Sequence, residues 1–124
     1  MSFIFYNPNP DGKFVGDCVI RAVSRLMHQG WDTTYYELCE LGRAMRDMPS
    51  SDIVWGEYLY QHGFRKHVIP DTCPFCYTIK DFCLDYPIGN FLLKTSGHVV
   101  AVVNGNYYDT SDSGNEVPIY FWGK

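Results

Sequence analysis

The sequence predicts a single α+β domain spanning residues 1–124, in which N-terminal helices are followed by a twisted antiparallel sheet of four to five strands. Apolar residues recur at helical spacing through the first half of the chain, whereas from Asn90 onward they alternate or form β-branched runs. The length also indicates one domain, because 124 residues, 46% of them hydrophobic, suffice for one core.

The first helix follows a segment that excludes regular structure, since residues 7–16 contain two prolines and two glycines. Asp17 is predicted as the N-cap of this helix and Gly30 as its end. The residues between them repeat at the spacing of one helical face, formed by Val19, Ala22, Val23, Leu26 and Met27.

Two more helices are predicted in the first half of the chain. Thr34 and Glu37 have the spacing of a capping box, which begins a second helix that runs to about Met45. A third helix is predicted from residue 51 or 52 to about residue 62, where Gly63 ends it.

The remaining elements are shorter. One strand is predicted over 64–69 and a short helix over 78–84. Asn104-Gly105 is typical of a type I′ turn, which joins two antiparallel strands. Pro118 lacks a backbone donor and therefore places the last strand at a sheet edge. The predicted strands of the C-terminal sheet cover residues 91–94, 98–103, 106–110 and 117–122.

Composition argues against several classes of function. A net charge of −4 leaves no basic surface for a nucleic-acid backbone, and no apolar run approaches the roughly 20 residues of a membrane span. The N-terminus lacks the pattern of a secretory signal, so a reducing, cytoplasmic location is predicted. Five cysteines are an odd number, so at least one thiol is free. No cofactor is predicted, and no pattern specifies the oligomeric state.

Cys18 is the first candidate for chemistry. It occupies the first position of the predicted helix, where backbone N–H groups and the helix dipole favour a thiolate. The carboxylate of Asp17 opposes a thiolate unless it turns away to cap the helix. A cysteine at a helix start is also found as a small buried apolar residue, so Cys18 alone does not define a site.

His98 and Asp109 are the second and third candidates. With a two-residue turn at Asn104-Gly105, the register of the hairpin places both side chains on one face as diagonal neighbours. A carboxylate in that position orients an imidazole and stabilises its charged form. Taken singly, these residues are also typical of a strand-end histidine and a solvated carboxylate. Together with Cys18 they predict a Cys–His–Asp catalytic triad.

Two stretches of the sequence carry a family resemblance. They read Asn-Pro-Asn-Pro, five further residues, then Gly-Asp-Cys-Val-Ile-Arg-Ala, and later Gly-His-Val-Val-Ala-Val-Val-Asn-Gly-Asn-Tyr-Tyr-Asp-Thr. Both resemble papain-like cysteine peptidases, in particular small C39-like members and those encoded by phages or bacteria. The resemblance covers roughly residues 5–28 and 90–122. It implies a papain-like fold with Cys18 as nucleophile, His98 as general base and acid, and Asp109 as the orienting residue.

The sequence departs from that family at the oxyanion hole. The family places a glutamine several residues before the nucleophile, and none stands there in this chain. The side-chain amide of Asn7 is predicted to replace it, together with the backbone N–H of Cys18, and Asn9 is the less favoured choice. The cysteine signature of the papain group is also absent.

Cys73-Pro-Phe-Cys76 is a rival motif, because such a pair forms half of a zinc site or a redox dithiol. Zinc needs two further ligands, and Cys83, His67 and Cys39 lack the paired spacing of a second half-site. No strand–helix–strand pattern typical of a redox domain precedes the pair. We therefore predict packed thiols and no metal site.

The predicted function is cysteine-dependent hydrolysis of a peptide, isopeptide or related amide bond in a peptide or protein substrate. An acyltransferase would use the same triad, with an amine instead of water resolving the thioester. A non-catalytic binding or inhibitory module with the same fold is the alternative from another class.

Overall fold

The structure is a computed structural model that describes residues 2–124. It has an α+β fold, which confirms the predicted class, with four helices and one six-stranded sheet in that range. The helices are α1 (Cys18–Met27), α2 (Trp31–Met45), α3 (Asp52–Gln61) and α4 (Ile79–Asp85). The strands are β1 (Phe3–Phe5), β2 (Arg65–Val68), β3 (Asn90–Lys94), β4 (Val99–Val103), β5 (Asn106–Asp109) and β6 (Tyr120–Gly123).

The sheet is mixed and open, not the antiparallel sheet of four to five strands that the sequence predicts. Its order is β1-β5-β4-β3-β6-β2, and β1 runs parallel to β5 while the other neighbouring pairs are antiparallel. The prediction missed β1 because three residues are too few to show a period. Its partner strand also lies about a hundred residues away in sequence, with Phe3 opposite Tyr107.

The central hairpin has the predicted turn and register. Asn104 and Gly105 both have positive φ, 50° and 77°, as a type I′ turn requires. Val103 pairs with Asn106 across that turn. The predicted edge position of the last strand is wrong, because β6 lies between β3 and β2. Pro118 precedes β6 and therefore removes no hydrogen bond from the sheet.

The boundaries of the first two helices differ from the prediction. α1 ends at Met27 and is terminated by His28, which adopts the left-handed conformation with φ 53°. Gly30 is instead the N-cap of α2. Thr34 therefore lies inside α2, where its hydroxyl donates to the carbonyl of Gly30, and the predicted capping box with Glu37 is wrong. A capping pattern is a local signal, and here the chain begins the helix one turn earlier.

The later helices follow their local signals more closely. The predicted start of α3 is confirmed, with Ser51 as an N-cap whose side chain accepts a hydrogen bond from the Ile53 amide. α4 begins at a capping box in which Thr78 and Asp81 satisfy each other's backbone amides.

The core lies on both faces of the sheet. α1, α2 and α3 pack on one face, with Trp55 and Leu38 among its buried residues, and α4 packs on the other face around Phe82. α1 packs principally against β4, whose five residues are all buried. This packing brings the N-terminus of α1 to the end of the sheet at which β4 begins.

The cysteines do not all behave as predicted. Cys73 and Cys76 form a disulfide in an exposed segment, so the prediction of packed thiols is wrong for this pair. Cys18, Cys39 and Cys83 are free, in agreement with the prediction of at least one free thiol. No helix within residues 2–124 has the length and apolar character needed to cross a bilayer.

Leu38 tests the packing of α2 on the sheet. Its side chain is fully buried, and we expect Leu38→Ala to lower the free energy of unfolding by about 2–5 kcal/mol because a cavity remains. The matched control is Leu84→Ala, at a position that is 57% exposed, with an expected change below about 0.5 kcal/mol. Urea unfolding measures both. Equal losses in the two variants would contradict the described core.

Candidate active site

The start of α1 presents unsatisfied backbone donors. Asp17 is the N-cap residue, as predicted, but its side chain makes no cap hydrogen bond. The amides of Cys18, Val19 and Ile20 find no acceptor within residues 2–124. These three residues also line one cavity. The helix therefore begins with free N–H groups beside the Cys18 sulfur, an arrangement that favours a negative charge there.

The carboxylate of Asp17 is engaged elsewhere, so Asp17 is the N-cap by position while its side chain does not bond to the free amides of the helix. One oxygen is ion-paired with the guanidinium of Arg21, one turn further along α1. The other accepts a hydrogen bond from Trp31 Nε1 at 2.8 Å, at the start of α2. Because Arg21 neutralises it, Asp17 opposes a thiolate at Cys18 much less than an isolated carboxylate does.

Arg21 joins the start of α1 to the hairpin. Its second terminal nitrogen donates to Asp109 Oδ1 at 3.1 Å, so one guanidinium bridges Asp17 and Asp109. Arg21 and Asp17 are each 6% exposed and Asp109 is 1% exposed, so the three charges are paired out of water. The sequence analysis did not identify Arg21. Its signal is a charged residue on the buried face of α1, four positions after Asp17.

Asp109 accepts hydrogen bonds on both oxygens. Oδ2 accepts from His98 Nε2 at 2.6 Å and from Ser113 Oγ at 2.7 Å, and Oδ1 accepts from Arg21 and from the Thr110 amide. Burial raises the pKa of Asp109, but the hydrogen bonds from His98, Ser113 and Thr110 and the charge of His98 outweigh it and hold this pKa below its usual range. Asp109 therefore stays ionised. Ser113 is a further residue that the sequence analysis missed.

His98 lies between the carboxylate and the thiol. Hydrogen bonds to Asp109 and then to Cys18 raise the pKa of His98 to about 10, although burial acts in the opposite direction. Because Nε2 is bonded to Asp109, Nδ1 is the ring nitrogen left for the sulfur. The imidazole is thus held in one orientation and in its protonated form at neutral pH.

The pKa of the Cys18 thiol shifts in the opposite direction to that of His98. Burial raises the pKa of its thiol, but hydrogen bonds from His98 and from the Val99 amide, with the charges of His98 and Arg21, outweigh burial and lower it below the ordinary value. The directions for Cys18 and His98 describe one coupled pair, in which the proton resides on the imidazole. Cys18 is partly buried and lines the cavity.

The predicted residues fall into two groups in the structure. Cys18, His98 and Asp109 lie together, because His98 Nε2 is hydrogen-bonded to Asp109 Oδ2 and the imidazole lies next to the Cys18 sulfur. Asn7 and Asn9 do not line the cavity, and they close the preceding loop instead. Asn7 Nδ2 donates to the Lys13 carbonyl at 3.1 Å, and its Oδ1 accepts from the Asn9 amide at 3.2 Å. Their amides are engaged in turn formation, as is common for asparagine in loops.

The cavity beside the sulfur is sizeable and mostly apolar. Its volume is about 470 Å³, and Cys18 and His98 form one side of it. Trp31 and Tyr35 of α2 form another side, with their rings stacked at a centroid distance of 5.0 Å. Residues 49–50, Asp52 and Lys94 also line the cavity. This space admits a substrate side chain next to the nucleophile.

The described part of the chain contains no set of side chains arranged as metal ligands. Between residues 2 and 124, no group of three or more His, Cys, Asp or Glu side chains is arranged to hold a metal ion. The Cys73–Cys76 pair is closed as a disulfide and offers no thiolate ligands in this state.

Comparison of this chain with protein-family models, with curated proteins and with solved structures yields no match. The papain-like resemblance therefore stays a prediction, and the geometry of Cys18, His98 and Asp109 is the basis for assigning a function.

Arg21 tests the buried charge network. Arg21→Met leaves Asp17 and Asp109 buried without their cation, so we expect the free energy of unfolding to fall by about 3–5 kcal/mol at neutral pH. The folded-state pKa of Asp109 lies below its ordinary value of 3.8. The contribution of the ionised Asp109 to the free energy of unfolding is therefore fully present above its ordinary pKa. It is lost as the pH falls through the folded-state pKa. The deficit of the variant should shrink accordingly in acid.

Urea unfolding at neutral and acidic pH measures this deficit. Arg43→Met, on the exposed surface of α2, is the matched control and should change stability by less than about 0.5 kcal/mol. A loss for Arg21→Met that is no larger than the control's would contradict the network.

Proposed function

We propose that this protein is a cysteine-dependent hydrolase that cleaves a peptide, isopeptide or related amide bond, with Cys18 as the nucleophile. The observation that carries the proposal is the position of His98, whose Nε2 is hydrogen-bonded to the buried Asp109 and whose ring lies next to the Cys18 sulfur. A thiolate beside a protonated imidazole is the form that nucleophilic catalysis requires.

A papain-like organisation belongs to the same proposal. It is supported by a nucleophile at the N-terminus of α1, a histidine directly before β4 and an aspartate at the end of the adjacent β5. The proposed substrate is a peptide or protein amide, and the proposed location is the cytoplasm.

Acylation begins from the thiolate. The Cys18 sulfur attacks the carbonyl carbon of the scissile amide and forms a tetrahedral oxyanion. The C–N bond then breaks as His98 transfers its proton to the leaving amine, and the acyl group remains on the sulfur as a thioester. Asp109 keeps the imidazole oriented throughout, since both of its oxygens are held by other donors as well.

The oxyanion is proposed to lie at the start of α1. The free amides of Cys18 and Val19 supply two donors next to the sulfur, and the helix dipole adds to their effect. This assignment replaces the predicted side-chain amide of Asn7, which is occupied by the Lys13 carbonyl.

Deacylation reverses the proton transfer. His98, neutral after acylation, accepts a proton from water while the water oxygen attacks the thioester carbon. The carboxylic acid product leaves, the Cys18 thiolate returns as the leaving group, and the proton stays on His98. An amine in place of water would give acyl transfer with the same residues.

A peptide carrying a chloroacetamide electrophile tests the proposed nucleophile. We expect mass spectrometry to locate the modification on Cys18 and not on Cys39, the other partly exposed thiol. His98→Ala should slow modification at neutral pH by about tenfold or more, because the thiol pKa rises when its proton acceptor is removed.

Cys39→Ala is the matched control and should react like the parent protein, whereas Cys18→Ala should remain unmodified. To distinguish hydrolysis from acyl transfer, a pool of peptides is incubated with the protein and then with a competing amine. A carboxylic acid product indicates hydrolysis, whereas a product joined to the amine indicates acyl transfer. Modification of Cys18 no faster than that of Cys39 would contradict the proposed function and favour a binding module.

A further inference from the structure

A lysine lines the same cavity one strand away from the nucleophile. Lys94, the last residue of β3, pairs with Val99 of β4, whose backbone amide lies next to the Cys18 sulfur and helps to lower the pKa of that thiol. Paired strands lie about 4.8 Å apart, so the backbone of Lys94 is close to the reacting centre. Its side chain is only 14% exposed and lies against the cavity.

The ammonium of Lys94 has unused hydrogen-bonding capacity. It carries three donors, and none makes a hydrogen bond within residues 2–124. The nearest acidic oxygen is Asp52 Oδ2, whose distance of 3.8 Å from Lys94 Nζ is too long for a hydrogen bond. Asp52 therefore holds the ammonium at ion-pair distance, and its donors are free to bind an acceptor that enters the cavity.

Asp52, in contrast, uses both of its carboxylate oxygens as hydrogen-bond acceptors. Its side chain is 56% exposed, so water solvates it. Its Oδ1 accepts from Trp55 Nε1 at 3.1 Å, and its Oδ2 accepts from the Tyr120 hydroxyl at 3.4 Å. Of these two paired side chains, the one with unused hydrogen-bonding capacity is therefore the Lys94 ammonium, which an anionic acceptor complements best.

We propose that the cavity selects substrates that carry a carboxylate close to the scissile bond, and that Lys94 binds this carboxylate. The inference rests on the proposed function, because it assigns the substrate class of that site. The apolar part of such a substrate lies against the stacked rings of Trp31 and Tyr35. Lys94 acts in specificity, while Cys18 and His98 perform the reaction.

The test uses pairs of chloroacetamide peptides that differ only by Glu or Gln at one of the three residues next to the electrophile. The two side chains match in shape and differ in charge. At one position or more, we expect the Glu peptide to modify Cys18 about tenfold faster than the Gln peptide, the size of one charge-assisted hydrogen bond. The readout is the rate of Cys18 modification by mass spectrometry.

Three variants assign that preference to Lys94. Lys94→Met should bring the Glu-to-Gln ratio to about one, and Lys94→Arg should retain the preference. Asp52→Asn should increase the ratio, because it removes the competing carboxylate and leaves Lys94 in place. Lys80→Met, at an exposed position on α4, is the matched control and should leave the ratio unchanged.

The two proposals fail in different ways. Rapid modification of Cys18 with equal rates for Glu and Gln at every position would overturn the role of Lys94 and leave the nucleophile intact. A preference that persists in Lys94→Met would overturn it as well. Absence of Cys18 modification by any of the peptides would contradict the proposed function and the substrate class together.

Discussion

The buried carboxylate of Asp109 is the point at which three separate parts of the chain are held together. Arg21 reaches it from α1, His98 reaches it from the start of β4, and Ser113 reaches it from the segment after β5. Removing such charges from water is costly, and the cost is offset only when every partner is in place. The position of α1 relative to the hairpin is therefore tightly determined, and with it the position of the Cys18 sulfur.

The same contacts determine the charges of the side chains in the site. Asp17 bonds to Arg21 and Trp31 instead of capping α1, which leaves the first amides of the helix free and its own charge compensated. Asp109 raises the pKa of His98 and so keeps the imidazole protonated. The positive charge of His98 in turn lowers the pKa of the Cys18 thiol. The position of α1 against the hairpin and the lowered pKa of the Cys18 thiol thus both depend on one buried network, which lies beside an apolar cavity.

Local sequence signals predicted most elements and the relation between His98 and Asp109. The Asn104-Gly105 turn sets the hairpin register from which the two side chains were predicted as neighbours, and His98 and Asp109 are hydrogen-bonded in the structure. Features that depend on distant partners were missed: the parallel strand β1, the interior position of β6, and the bridge made by Arg21. Their partners lie far away in the sequence, and periodicity carries no information about such pairings. Asn7, the predicted oxyanion donor, donates to the Lys13 carbonyl of its own loop, as asparagine commonly does in turns.

The titration of the His98 imidazole measures the central contact most directly. Nuclear magnetic resonance of the protein with labelled histidine, with the His98 signal assigned from His98→Gln, follows its protonation across the pH range. Asp109 and Cys18 together predict an imidazole that stays charged at neutral pH and loses its proton near pH 10. Asp109→Asn should move that midpoint downward. A midpoint at the ordinary value of 6.5 in the parent protein would contradict the thiolate–imidazolium pair.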